Sequence, residues 1–378
     1  MHDLTENTGH MTRFYEGQIP PFTENTLETL YGSLYSSLPQ LSLGGLDEVS
    51  TYIATDKGHC SALFLYSRQR RAVRVINEGM TVEASDIQRF AQQIFARNTK
   101  VSQVHFHAIR LTGTASLFPS LRLPITEDIV IDLPNDEATY VESLGKSTRK
   151  TLRQNQARAG CMSHQLIPGA DIDVAAIDTI IGFNHARMAR KQRKSALDAR
   201  SRAQLLSLLR ARGIVSIVCI DGVLRAGTLA CRFGEDVFSL VNAHDPAVDH
   251  LGMGNLSRHL MILDMIRLGA LRFHLLGGHF ASKRSCGARR IPLHDVTLYR
   301  NRIAMMTDLA GVIDMMRRSA SYRIRIALDE HHHTAPTSRT ASLAFRCVRL
   351  MRKAKHGARA LTIWRREGPE REDRTEHV

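Results

Sequence analysis

The spacing of apolar and polar positions changes period several times along the chain. Val49–Ala54, Ser61–Tyr66 and Ala72–Ile76 are short runs rich in β-branched, aromatic and aliphatic residues. They are separated by Thr55-Asp56-Lys57-Gly58 and Ser67-Arg68-Gln69-Arg70, which predicts three strands joined by tight turns. Glu83-Ala84-Ser85-Asp86 then opens a helix to about Arg97, with acids in the first turn where the helix dipole favours them. Val101–Ile109 reads as a fourth strand. The same β-β-β-α-β order returns as strands over Val215–Ile220, Leu224–Arg232 and Val237–Ala243, a helix over Met253–Leu268 closed by Gly269, and a strand over Leu271–Leu276. Asp221-Gly222 and Gly234-Glu235-Asp236 supply the turns. The units 49–109 and 215–276 predict a duplicated α+β module. Met253, Met261 and Met265 are expected to fill the core.

The region between the units starts with a strand over Glu127–Leu133 and a helix over Lys146–Ala159, ended by Gly160. On that helix Lys146, Arg149, Lys150 and Arg153 fall at i, i+3, i+4 and i+7, one cationic face with no acid. Arg187–Lys194 adds a second cluster, and Ile172–Ala196 reads as a helix pair. The first 45 residues are weakly patterned. Beyond Arg300 the chain is helical in character to about Leu328. His331-His332-His333 is read as a surface run in a loop, because adjacent histidines lack the i, i+4 spacing of a helical metal site. No metal is expected.

Charge changes the picture. Of 378 residues, 51 are Lys or Arg against 37 Asp or Glu, leaving +14, so an anionic partner is expected. Aromatics are only 6%, and no nucleic-acid-reading module is recognisable, so nucleic acid is not the expected partner. No run approaches the ~20 apolar residues of a transmembrane helix, and the polar first residues do not resemble a secretory leader. Six scattered cysteines with no CxxC pair fit a reducing cytoplasm.

The chemistry-bearing segment is Asp245-Pro246 followed by His250-Leu251-Gly252-Met253-Gly254-Asn255, between a strand and a helix. Glycines there permit close backbone approach, and a helix N-terminus offers N–H groups to an anion such as a pyrophosphate. Alone, such a loop is equally a tight turn.

Four passages give context: Asp128–Leu133 with Tyr140–Arg153, Ile220–Gly227, His244-Asp245-Pro246 with Gly252–Leu256, and Phe273–Lys283 with Arg284–Gly287. Together they resemble the GNAT-type acyl-CoA N-acyltransferase superfamily, in the two-lobed branch grouped with cellulose-biosynthesis (CelD-like) and FemAB-like proteins. The resemblance covers about residues 45–305. It departs from the family loop at Asp249, which stands where Gln or Arg is usual, and at His244 and His279, which stand where Tyr is frequent.

The resemblance implies an α+β fold of two tandem GNAT-like lobes, each a mixed, mostly antiparallel sheet flanked by helices, plus a basic helical C-terminal tail. The expected layout is an irregular segment 1–45, a degenerate first lobe 46–135, a second lobe 136–305 holding the acyl-CoA site, and an extension 306–378. The implied activity is transfer of an acyl group, acetyl in the first instance, from acyl-CoA to an amine or hydroxyl of an anionic or sugar-like acceptor in cell-surface polysaccharide or envelope metabolism. Asn242, Ala243, Gly252, Met253, Gly254 and Asn255 are the expected CoA-binding residues. His244 and Asp245, with His279, are the candidate catalytic residues, and Arg149, Arg153 and Lys283 the candidate acceptor-binding ones. Two alternatives stay open: FemAB-like aminoacyl transfer from charged tRNA, and a non-catalytic protein binding nucleic acid, another anion or a membrane surface. The tail from Arg339 to Arg366 carries Lys and Arg, no acid, and a spaced apolar stripe ending near Trp364. Peripheral contact with an anionic membrane, packing on the second lobe and a partly disordered tail are its readings. A cytoplasmic location is expected.

Overall fold

The computed structural model describes residues 10–42, 45–46, 48–114, 117–192, 195, 197–276 and 280–334. The first half of the chain forms β1 (His10–Tyr15), α1 (Thr23–Tyr31), α2 (Leu38–Leu41), β2 (Ser50–Asp56), β3 (His59–Gln69), β4 (Ala72–Val75), β5 (Thr81–Glu83), α3 (Ala84–Arg97), β6 (Gln103–Thr112) and β7 (Ser120–Asp132). Two connecting helices follow, α4 (Glu137–Ser143) and α5 (Lys146–Arg158). The second half forms β8 (Met162–Pro168), α6 (Val174–Arg190), α7 (Ala199–Arg212), β9 (Gly213–Ile220), β10 (Val223–Phe233), β11 (Asp236–His244), α8 (Met253–Arg267), β12 (Arg272–His274), α9 (Ala281–Arg284) and β13 (Arg289–Tyr299). Helices α10 (Arg302–Thr307) and α11 (Leu309–Thr334) end the described chain.

The strands join in one sheet with the order β1-β2-β3-β4-β6-β13-β7-β12-β11-β10-β9-β8, and β5 pairs with β6 beside this path. Read from either end, the order repeats. In each half an edge strand, two antiparallel neighbours and a third antiparallel strand lead through a helix to a strand parallel to the third. The duplication is therefore present, and it is longer than its apolar pattern suggested. It takes in the edge strands β1 and β8 and the helices that follow each of them. The last strand of each half crosses over: β13 pairs with β6 of the first half, and β7 pairs with β12 of the second. The two crossing strands pair with each other along most of their length.

Several elements escaped the sequence pattern for physical reasons. β1 and β8 are edge strands of mostly partly exposed residues, so they lack an apolar run. β13 contains Pro292, which argues against a central strand. Pro292 is tolerated because it sits where β13 pairs only with β7; pairing with β6 starts at His294. The segment read as a helix pair over 172–196 contains a single helix, α6, with α7 starting beyond it. The His331–His333 run lies on α11 rather than in a loop.

In the first lobe Ile87, Phe90 and Ile94 of α3 pack on Tyr52, Phe64 and Phe106. In the second lobe both sheet faces are covered. Met261, Met265 and Ile266 of α8 pack on Ile129, Ile131 and Phe273. Ile180 of α6 and Leu209 of α7 pack on Leu229, Val241 and Ala243 from the other side. Residues to Ala320 form one compact unit, and a second begins at Ser321. No helix among the described residues is long and apolar enough to cross a membrane. The basic stretch 339–366 lies outside the described residues.

The crossover places a histidine against an aspartate at matching points of the two halves. His107 of β6, preceded by Phe106, meets Asp295 of β13; His274 of β12, preceded by Phe273, meets Asp128 of β7. His274 is buried, its Nδ1 2.7 Å from Asp128 Oδ2 and its Nε2 3.5 Å from Asp236 Oδ2, with its ring stacked 4.2 Å from that of Phe238. Burial pulls its pKa down, but the two carboxylates more than offset this and the net shift is upward from 6.5. A raised folded-state pKa means stability that is complete below the unfolded pKa and lost as pH rises through the folded one. The stability advantage of the wild type over His274→Gln, measured by urea unfolding, should therefore be largest near pH ~6 and shrink toward pH ~9. An advantage that grows with pH would contradict the charged pairing.

Candidate functional site

The parallel strands β11 and β12 pair only over Asp236–Phe238 and Arg272–His274. β12 then ends, whereas β11 runs on to His244 against β10. The sheet opens here into a wedge, and α8 starts at the far end of β11.

Alternation along β11 sorts the residues expected around this wedge. Val241 and Ala243 point into the core under α6 and α7, so Ala243 offers only its backbone to a ligand. Asn242 and His244 lie on the α8 side. Asn242 Nδ2 donates to Thr228 Oγ1 at 3.0 Å, which in turn meets Ser257 Oγ of α8 at 3.1 Å. His244 Nε2 lies 2.5 Å from Asp249 Oδ1, and Asp249 also pairs with Arg190 at the end of α6. Arg190 and then His244 hold the Asp249 carboxyl below the usual range. Asp245 is committed elsewhere: its carboxylate accepts from Ala247 N at 2.9 Å, capping the 3₁₀ turn Pro246–Leu251, and from Arg225 Nη1 at 2.6 Å.

The glycines have protein neighbours. Gly252 takes the left-handed conformation, φ +65°, that joins the 3₁₀ turn to α8, and a Cβ on it would lie 2.3 Å from the Asn155 amide of α5. A Cβ on Gly254 would lie 2.9 Å from His244 Nδ1. Met253 is fully buried in the core, as its type suggested. Asn255 is exposed and lines a pocket of about 200 Å³ between α5, α8 and the chain after α9, together with Thr148, His259, Ser285, Cys286 and Tyr140. This pocket shares Leu144, Thr148 and Ser285 with a neighbouring one of about 350 Å³ at the start of α5. Burial lowers the His259 pKa, and its ring stacks on Tyr140 at 5.9 Å. Cys286 packs in the core beneath the pocket, in line with a structural cysteine.

Lys283 is buried, 7% exposed, and its Nζ donates to Leu275 O at 2.8 Å and to Leu276 O, the two carbonyls directly after β12. Burial, then repulsion from Arg258 of α8, brings its pKa down to about 8. The same two causes depress Arg187 of α6. Among the described residues, Arg258 Nη1 and Arg187 Nε are buried with no hydrogen-bond partner. Arg149 is partly exposed and Arg153 fully exposed on α5, which packs its other side on α8. His279 lies outside the described residues, as do Arg193 and Lys194. Arg258 and His259 had no signal in the sequence, since both lie on a helix that alternates polar and apolar residues without a motif.

The structure thus gathers a wedge in a mixed sheet, a strand-to-helix glycine loop and three half-buried or buried cations in one region. A family model described as an acetyltransferase (GNAT) domain matches residues 146–284. Among solved structures, FemX has a TM-score of 0.55 at 8% identity, covering 77% of this chain and 99% of that one. L-PGS from Bacillus licheniformis gives 0.48 at 12% identity over 81% and 98% of the two chains. The C-terminal domain of a putative lysylphosphatidylglycerol synthetase from Agrobacterium fabrum gives 0.46 at 12%, over 77% and 96%. No curated protein matches the chain. Residues 146–284 are thus similar to a GNAT acetyltransferase domain, and the chain shares its fold with FemX.

Because the Asn155 side chain occupies the space a Cβ would need at Gly252, and because φ is positive there, Gly252→Ala is expected to cost about 1–3 kcal/mol of stability. Adding Asn155→Ala should recover part of that loss in chemical denaturation, through a favourable coupling between the sites. Strict additivity would mean that the helix contact does not set the need for glycine.

Proposed function

We propose that the chain is an acyltransferase that binds a phosphate-bearing acyl donor in the β11–β12 wedge and passes the acyl group to an amine or hydroxyl of a polar acceptor. Acyl-CoA, acetyl-CoA in the first instance, is the donor. The observation that carries this reading is the set of cations beside the wedge, Arg187, Arg258 and Lys283, in which, among the described residues, Arg187 Nε and Arg258 Nη1 are buried without a hydrogen-bond partner. A buried donor left unfilled costs about 1–3 kcal/mol, which a phosphate oxygen would recover.

In this reading the acceptor amine attacks the thioester carbonyl, a C–N bond forms, the C–S bond breaks, and CoA leaves as the thiol after taking up a proton. Asp249 holds Nε2–H of His244, leaving Nδ1 to take the proton of the incoming ammonium. Asp245, already tied to Arg225 and Ala247, holds the turn that carries Asp249. The backbone at Asn242 and Ala243 and the N–H groups of Met253 and Gly254 face the donor, while those of Gly252 and Asn255 close the turn onto Asp249 O and Gly252 O. Arg149 and Arg153 receive the anionic part of the acceptor. His279 remains a candidate from the resemblance alone. So do a role in cell-surface polysaccharide or envelope metabolism, a cytoplasmic site of action, and membrane contact through 339–366.

One observation favours the second reading, aminoacyl transfer from charged tRNA. Asn155 packs on Gly252, where a pyrophosphate would approach, while α5 turns an acid-free cationic face to solvent. Calorimetry separates the two readings, with acetyl-CoA as one titrant and aminoacyl-tRNA as the other. Saturable 1:1 binding of acetyl-CoA supports the first, and binding of the charged tRNA alone supports the second. Under either, Arg258→Met should weaken donor binding at least ~10-fold while leaving unfolding stability equal or higher, since it removes an uncompensated buried charge. Unchanged affinity for both donors in this variant, or no binding of either by the wild type, would sink the phosphate-bearing donor.

A further inference from the structure

The first lobe has its own polar cluster, far from the wedge residues in sequence. We propose that His105, His107 and Asp295 form a binding site for a divalent transition-metal ion, a two-histidine, one-carboxylate set on adjacent strands.

The strand geometry brings the set together. His105 and His107 stand two apart on β6, so both imidazoles leave the same face of the sheet. Asp295 of β13 stands alone opposite His107 and Ala108, the two residues of a bulge in β6 between Phe106 and Ile109. A bulge re-aims side chains on its strand, and here it brings the two rings of β6 to the Asp295 carboxylate. One ligand atom from each residue lies within 4.8 Å of the others. Within the bulge, Ala108 holds φ +50°, a conformation that alanine rarely adopts, and its N–H donates to Asp295 Oδ1 at 3.2 Å. The bulge and the backbone strain it contains both act at this one carboxylate.

The donor atoms are aimed past one another. Asp295 is fully buried. His107 Nδ1 lies 2.6 Å from Asp295 Oδ1 without hydrogen-bond geometry, and Asp295 Oδ2 is engaged by an ion pair with Arg318. His105 Nδ1 is engaged by Thr297 Oγ1 at 3.0 Å, which leaves Nε2 to face Asp295 Oδ2 at 4.0 Å. A hydrogen bond to the far ring nitrogen is how protein metal sites orient a histidine. The two histidines are 20% and 25% exposed, so solvent can deliver an ion and water can complete its coordination.

The matching point of the second lobe shows what differs. There Arg272 stands where the first lobe has His105, and it pairs with Asp236 at 2.6 Å. His274 is clamped between two carboxylates, so that site has one imidazole and a protein cation. The first lobe has two imidazoles, a donor set suited to Zn²⁺ and its neighbours rather than to Mg²⁺ or Ca²⁺. Arg318 Nη1 approaches Asp295 Oδ2 at 2.6 Å and takes the cation's place. Its Nε also pairs with Asp314 at 2.9 Å, which gives the guanidinium a carboxylate to keep when an ion takes Oδ2.

The test uses the full chain, Zn²⁺ as probe, and elemental analysis after exhaustive dialysis, with calorimetry alongside. The expected result is one retained equivalent per chain and a higher unfolding temperature, since an ion that binds only the native state stabilises it. His105→Gln/His107→Gln should lose the ion, whereas His331→Ala/His332→Ala/His333→Ala should keep it. Should the double variant not fold, His105→Gln alone, at a partly exposed position, should weaken Zn²⁺ at least ~10-fold. No retained ion in the wild type, or equal retention after the β6 substitutions, overturns the proposal.

Discussion

The antiparallel pairing of β7 with β13 is the contact on which the rest of the structure depends. Each of these strands ends one repeat in sequence and pairs with the last strand of the other repeat in space. Without the exchange, β6 and β12 would each end their half as an unpaired edge, with backbone groups that neither half could satisfy alone. The exchange also permits the wedge. β12 is only three residues long and keeps β7 as a full neighbour on one side, so it can release β11 on the other without breaking the sheet. The opening between β11 and β12 is thus the by-product of a strand borrowed from the other repeat.

The same pairing decides where buried charge is balanced. At the two crossing points the carboxylates of Asp128, Asp236 and Asp295 meet His274, Arg272, His107 and Arg318. Charges of opposite sign, taken out of water together, lose less than they would alone. Beside the wedge the balance is poorer: among the described residues Arg258 Nη1 and Arg187 Nε are buried without a hydrogen-bond partner, and burial, then repulsion from Arg258, lowers the Arg187 pKa. Buried cationic nitrogens of this kind are a feature that sites for anionic groups share.

Asp249 shows how a departure from a family motif is absorbed. An acid at the first position of the loop would repel a phosphate if it stood alone. Arg190 neutralises it from the end of α6, and His244 takes its other oxygen. Asp249 thereby supports a histidine at the end of β11. Asn155 makes a comparable change at Gly252, where a helix from between the repeats sits on the loop glycine.

Local pattern by itself determined the repeating β-β-β-α-β order, the strands of both cores, the helix α8 and the loop before it, because alternation and helical spacing are properties of neighbouring residues. Val237–Ala243 and Met253–Leu268 were legible within a residue or two of β11 and α8 for that reason. β1 and β8 were not legible, because an edge strand buries little and so needs little apolar sequence. β13 was hidden by Pro292, whose missing N–H matters only once the neighbouring strands are known. Of the site, His244 and the glycine loop could be found from their place at a strand end, and Lys283 from the family motif. Arg258, the link between Asp249 and Arg190, and the meeting of His105 and His107 with Asp295 were settled by tertiary structure alone. Each joins residues from different elements, brought together by strand order, a bulge or helix packing, and no spacing along the chain encodes a distance in space between parts of a sheet that cross over.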